Sequence, residues 1–212
     1  MLKHLPILIG AQQLSGDLCT VEDSLGLVVF VHGSGSSRLS RRNIQVAETL
    51  QRHHLGTLLF DLLTPDEADD RSKVFDIELL TDRVLDAIDS LPAPARTMRL
   101  GLFGASTGAA AALVAAARRP DQVRAVVSRG GRPDLAGVAL RDVHAPTLLI
   151  VGAEDTQVLE LNRDAYAQLD CDKRIELVPR ATHLFQEAGA LETVSLLATR
   201  WFTQHLLHTG ER

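Results

Sequence analysis

The stretch RLGLFGASTGAAAALVAAAR, Arg99 to Arg118, decides how this chain is read. An apolar run, Arg99–Phe103, enters Gly104-Ala105-Ser106-Thr107-Gly108, and an alanine-rich segment, Ala105–Arg118, leaves it. Its large apolar residues are Leu113 and Val114 alone, so the segment predicts a central buried helix whose small side chains let it sit close against a sheet. The order is strand, sharp turn, helix, with a serine at the apex of the turn and a glycine two positions away on either side. Side chains at those two positions would collide in so tight a turn, which is why glycine is needed there.

Working outward, further short runs rich in Val, Leu and Ile appear at Leu25–Val31, Thr57–Leu63, Val123–Val127, Thr147–Val151 and Ile175–Val178. They are continuous rather than alternating, as expected of strands covered on both faces in a parallel sheet. Between them lie stripes of helical spacing. Val74, Ile77, Leu80, Val84 and Ile88 form one, Leu191, Val194, Leu197 and Trp201 another, and Asn43–His54 is a shorter candidate. Repeated βαβ units follow, with helices on both faces of a mostly parallel sheet. Leu5–Ile9 and Leu14–Val21 precede any helix and read as an antiparallel hairpin at one sheet edge. No linker rich in Pro or Ser divides the 212 residues, so residues 1–212 read as one α/β domain.

Composition narrows the classes of function. With 45% hydrophobic residues the chain has enough apolar mass to fold, which excludes a disordered polymer. A net charge of −5 argues against a nucleic-acid partner, whose phosphates call for clustered cations. The basic run Arg38, Arg41, Arg42 reads as a solvated helix start. Two cysteines, Cys19 and Cys171, make no disulfide framework and read as reduced thiols. No apolar run approaches the roughly 20 residues that span a bilayer, and no signal-peptide pattern is visible, so the expected setting is the cytoplasm, without membrane association. Neither His nor Cys spacing suggests a metal site, and no cofactor is called for.

Four segments carry candidate chemistry, all in positions that follow a strand. Ser106 stands at the turn just described. A helix N-terminus behind it favours developing negative charge. His32-Gly33-Ser34-Gly35-Ser36-Ser37 follows the run Leu25–Val31, and its glycines free backbone N–H groups. An acyl-transfer reaction needs two such donors for its oxyanion, and the expected pair is the N–H of Thr107 and that of Ser34. His32 itself reads as structural. Gly152-Ala153-Glu154-Asp155 follows Thr147–Val151 and brings an acid to the rim where α/β sheets bind ligands. Asp155 is the choice, with Glu154 as its local competitor, Asp134 as a more distant one, and helix capping as the bland alternative. His183, in Ala181-Thr182-His183-Leu184-Phe185, is the one histidine of eight in a loop after a late strand. Arg129, in Ser128-Arg129-Gly130-Gly131-Arg132-Pro133-Asp134, either holds a substrate carboxylate or makes an ordinary ion pair, for instance with Asp134.

The chain order Ser106, Asp155, His183 and the four motifs together resemble the α/β-hydrolases, and more narrowly their dienelactone-hydrolase-like branch. The resemblance runs from the first hairpin to the last helix. It implies hydrolysis of an ester, lactone or thioester through an acyl-enzyme, with Ser106 as nucleophile, His183 as base and Asp155 as its orienting acid. Dienelactone hydrolases place cysteine at the turn where this chain has Ser106, so dienelactone itself is not the implied substrate. Only Ser128–Pro146 separates two strands where lid domains of the superfamily enter, which predicts a lidless site suited to small esters or exposed acyl groups. Acyl transfer to an alcohol or thiol, a catalytically silent binding protein, and a nucleotide-binding module are the competing readings. Oligomeric state is left open.

Overall fold

The computed structural model describes residues 1–24 and 26–207. Leu25, the expected first residue of a strand, and His208 lie outside the described residues. Eight strands, β1 (Leu2–Ile9), β2 (Leu14–Val21), β3 (Gly26–Val31), β4 (Leu55–Phe60), β5 (Arg99–Ala105), β6 (Val123–Arg129), β7 (Thr147–Gly152) and β8 (Lys173–Val178), form one sheet in the order β1-β2-β4-β3-β5-β6-β7-β8. The hairpin β1–β2 is antiparallel and pairs antiparallel to β4; every other pairing is parallel. The helices are α1 (Arg41–Arg52), α2 (Pro65–Ala68), α3 (Arg71–Val74), α4 (Ile77–Asp89), α5 (Ala93–Arg96), α6 (Thr107–Arg118), α7 (Thr156–Gln168) and α8 (Ala190–Phe202). A 3₁₀ segment, Pro133–Asp142, joins β6 to β7, and no lid is inserted there. This is the expected α/β-hydrolase architecture with its edge hairpin.

The continuous apolar runs of the inner strands are explained by burial on both sides, whereas β8, at the sheet edge, is buried only at Val178. In β3, Leu27, Val29 and Val31 join the core under α4 and α6, whereas Val28 and Phe30 join the core under α1 and α8. Successive side chains of a strand point to opposite faces, so a strand covered twice needs no polar alternation. In α6 every residue from Thr107 to Ala116 is buried. Its alanines, as the sequence predicts, bring the helix axis close to the sheet.

One helical stripe is divided. Val74 ends α3, and Ile77 opens α4. Asp76 lies between them with φ −78° and ψ 93°, and its carboxylate accepts the Leu79 N–H at 3.1 Å. An N-cap in extended conformation restarts the helix, even though the apolar spacing continues across it. Cys19 and Cys171 are both free thiols. No described helix is long and apolar enough to cross a membrane.

Candidate active site

The site is built from loops that leave the C-terminal ends of the parallel strands. At its centre β5 stops at Ala105 and α6 starts at Thr107, which leaves Ser106 alone in the turn with φ 51° and ψ −124°. A residue with a β-carbon held at such angles costs roughly 1–3 kcal/mol. The surroundings impose it. A β-carbon at Gly104 would stand 2.4 Å from Ala109 Cα, and one at Gly108 would stand 2.2 Å from the Val31 carbonyl oxygen. The turn is therefore clamped between its own helix and β3. Ser106 occupies the N-cap position of α6 but its hydroxyl makes no capping bond. Thr107 is the first helical residue, so its N–H has no partner within the helix.

The loop after β3 lies directly against this turn. A β-carbon at Gly33 would be 2.8 Å from Ser106 Cβ. The Ser34 N–H donates to Thr107 Oγ1 at 3.0 Å, so both expected oxyanion donors sit together, and one of them is engaged by the neighbouring hydroxyl. His32 is buried; its Nε2 accepts the Leu62 N–H at 3.0 Å, which leaves Nδ1 to donate to the Gly33 carbonyl at 3.0 Å. Burial holds its pKa below the ordinary histidine value. The bond from Leu62 ties the loop to the chain just after β4.

Asp155 and His183 meet across two loops. His183 Nδ1 lies 2.7 Å from Asp155 Oδ2. Asp155 is the N-cap residue of α7, yet it too makes no capping bond. The acid and the histidine can approach because residue 152 is glycine: a β-carbon there would be 2.4 Å from the Ala181 carbonyl oxygen. Glu154 joins the histidine loop only through its backbone, whose N–H donates to the Ala181 carbonyl at 3.0 Å. Asp134 is bound to Arg132 at 2.9 and 2.7 Å and so is not free to serve His183. The loop is further fixed by Glu187, whose Oε1 accepts from both the N–H and the hydroxyl of Thr182, at 3.1 and 2.5 Å. The hydroxyl bond is the main reason that Glu187 titrates below the ordinary glutamate range. Sequence reasoning had no signal for Glu187 beyond its place shortly after the histidine.

Ser106 and His183 share no hydrogen bond among the described residues. The segment Arg129–Arg132 links their surroundings. The Ser106 N–H donates to the Arg129 carbonyl at 3.4 Å, the Arg132 N–H donates to the Ser106 carbonyl at 3.0 Å, and a β-carbon at Gly130 would stand 3.7 Å from His183 Nδ1. The side chain of His183 is 40% exposed and that of Asp155 14%, so the imidazole stands at the lip with its partner below.

Two expectations about arginines are corrected. Arg129 is neither exposed nor paired with Asp134. It is 8% exposed, its Nη2 donates to Asn43 Oδ1 at 3.4 Å, and its guanidinium lies 6.0 Å from the centre of the Phe185 ring. Burial, together with the charge of Arg42, pushes its pKa down to about 10. The run Arg38, Arg41, Arg42 is not uniformly solvated. Arg38 bridges Asp17 at 3.1 Å and Asp61 at 2.7 Å, Arg41 is exposed, and Arg42 is partly buried. The run reads as a solvated helix start because its neighbours in sequence are polar, whereas the acids that hold Arg38 come from β2 and from the end of β4. A cavity of about 760 Å³ runs along this loop from His32 to Arg42 and is also lined by Leu62, Leu63, Val74 and Leu80. Among the described residues no group of His, Cys, Asp and Glu could hold a metal ion.

No protein-family profile matches the chain. A dienelactone hydrolase of known structure from Anabaena variabilis is 50% identical, superimposes with a TM-score of 0.92, and the match covers 97% of this chain and 98% of that one. The chain belongs to the dienelactone-hydrolase-like α/β-hydrolases. A Mycobacterium tuberculosis protein that carries the provisional name phosphoribosyl transferase is 53% identical over 210 residues. This hydrolase-fold chain spans about half the length of the curated relatives it matches, 98% of itself but 47% of theirs. Est1E from Butyrivibrio proteoclasticus, at 15% identity and a TM-score of 0.77 over 96% of this chain and 99% of its own, shares the hydrolase fold.

Proposed function

We propose that this hydrolase cleaves carboxylic esters, lactones or thioesters of small or exposed acyl groups through an acyl-enzyme on Ser106, with residues 1–212 acting as one catalytic domain. The observation that carries the reading is the 2.7 Å contact of His183 Nδ1 with Asp155 Oδ2, in a loop that touches Gly130 beside the strained Ser106. A carboxylate on Nδ1 fixes the tautomer that leaves Nε2 free to take a proton. His183 accepts the Ser106 proton as Oγ attacks the substrate carbonyl. The oxyanion is received by the Thr107 N–H and the Ser34 N–H, the latter exchanging Thr107 Oγ1 for the developing charge. His183 then protonates the leaving alcohol or thiol. Water, deprotonated by His183, cleaves the acyl-enzyme and regenerates Ser106. Proton transfer requires the His183 ring to close on Ser106 Oγ, a bond that commonly tightens only when substrate is engaged.

The name of the longer mycobacterial relatives belongs to chains twice this length. The direct test is covalent labelling. A fluorophosphonate should modify Ser106, located by peptide mass spectrometry, and the same reagent should block turnover of short acyl esters. Unlabelled, correctly folded protein would return the chain to the class of silent binding proteins.

A further inference from the structure

Two arginines near the site have carboxylate partners: Arg38 has Asp17 and Asp61, and Arg132 has Asp134. Arg42 and Arg129 do not. Among the described residues no carboxylate lies within 4.0 Å of either, and the Nε of each is buried without a hydrogen-bond partner. Arg129 is more than nine-tenths buried, and the polar groups around it are neutral or of like charge: Asn43 at 3.4 Å, the face of Phe185, and Arg42 itself. A buried guanidinium that feels a second, partly buried one and has no anion is costly, because it loses hydration and is repelled by its neighbour. Folding alone does not reward this arrangement. A ligand of opposite charge does.

The position suits a substrate. Arg129 is the last residue of β6, its carbonyl accepts the Ser106 N–H, and the next residue packs on His183. Arg42 lines the cavity that begins at His32 and passes Ser34. We propose that Arg42 and Arg129 form a receptor for a dianion, the phosphate monoester group of an ester substrate whose carbonyl lies at Ser106. Two uncompensated positive charges match a dianion better than a single carboxylate, and forked guanidinium donors fit phosphate oxygens. Even with its pKa lowered, Arg129 stays protonated at neutral pH. The inference deepens the esterase reading and rests on it for the placement of the reacting carbonyl, but not for the anion site itself.

The test has a binding arm and a kinetic arm. In the first, inorganic phosphate is titrated against the intact protein at constant ionic strength and the melting temperature is followed, with acetate and chloride as controls. Phosphate alone should raise it, in wild type and in Ser106→Ala, and Arg42→Gln should lose the response. Arg41→Gln, the exposed neighbour, removes the same charge and should keep it. In the second, kcat/KM is compared for two esters with the same acyl group, one bearing a phosphate monoester and one neutral. The phosphorylated ester should be preferred, and Arg42→Gln should lower the ratio at least about tenfold, as expected for charge-assisted bonds. Equal stabilisation by acetate would overturn the dianion. A phosphate shift without substrate preference would overturn the substrate assignment, and no shift in wild type would overturn the site even if Arg42→Gln fails to fold. Loss of labelling at Ser106 with the phosphate shift intact would instead sink the esterase reading alone.

Discussion

Six helix starts in this protein have an N-cap residue whose side chain could cap, and they fall into two groups. At α1, α2, α3 and α4 the N-cap residues Ser40, Thr64, Asp70 and Asp76 each accept a backbone N–H of the first turn. At α6 and α7 the N-cap residues are Ser106 and Asp155, of equally good capping type, and neither side chain caps. The first group turns the side chain back on its own helix. The second turns it outward, Asp155 onto His183 and Ser106 into the strained turn. The same residue type at the same local position is structural where its oxygen is spent on the helix and available for chemistry where it is not. What compensates α6 is steric: its start is clamped by backbone contacts at Gly104 and Gly108 rather than by a hydrogen bond.

Substitutions at the two kinds of helix start should separate sharply. The largest effect is expected from Ser106→Ala, which should lower ester turnover at least roughly a thousandfold while leaving the melting temperature unchanged, since no cap is lost; steady-state kinetics beside thermal melts checks both halves. Ser106→Gly should be more stable than Ser106→Ala by about 1 kcal/mol, because glycine carries no penalty at positive φ. Next comes Gly108→Ala. Its β-carbon meets a fixed carbonyl oxygen, and about 3 kcal/mol or more of stability should be lost, seen as a fall in the denaturant midpoint. Asp76→Ala, at a capped start, should cost about 1 kcal/mol with kcat/KM unaltered. If Asp76→Ala impaired turnover while Asp155→Ala only reduced stability, the division drawn above would be reversed.

The smallest effect concerns His32. Its pKa in the folded protein lies below the 6.5 of the free side chain because burial disfavours the charged form. As pH falls through about 6.5, the unfolded chain takes up a proton that the folded chain refuses, so stability is complete above that pH and declines below it. His205, lowered for the same reason, adds to the decline. The melting temperature of His32→Gln should therefore fall less steeply than that of wild type between about pH 7 and 5.5.

Much of this was legible in the residues. The strands were visible as continuous Val, Leu and Ile runs, since burial on two faces suppresses polar alternation. The turn at Ser106 was visible because side chains two positions away on either side would collide in a sharp turn and glycines stand there, and the candidate acid and histidine because each follows a strand at the same rim. The division of the Val74–Ile88 stripe was not legible, because the apolar spacing passes undisturbed through the cap at Asp76. Nor was the environment of Arg129, which depends on α1 and on Phe185, both remote along the chain.

By itself, then, the sequence determined which segments are strands and helices, where the chain turns sharply, and in what order serine, acid and histidine occur. These follow from local sterics and from which faces must avoid water. Only the tertiary structure decided which acid meets His183, that Asp134 is taken by Arg132, that Glu187 steadies the histidine loop, and that Arg129 is buried without an anion. Those are matters of which partner arrives through space, and local patterning carries no record of it.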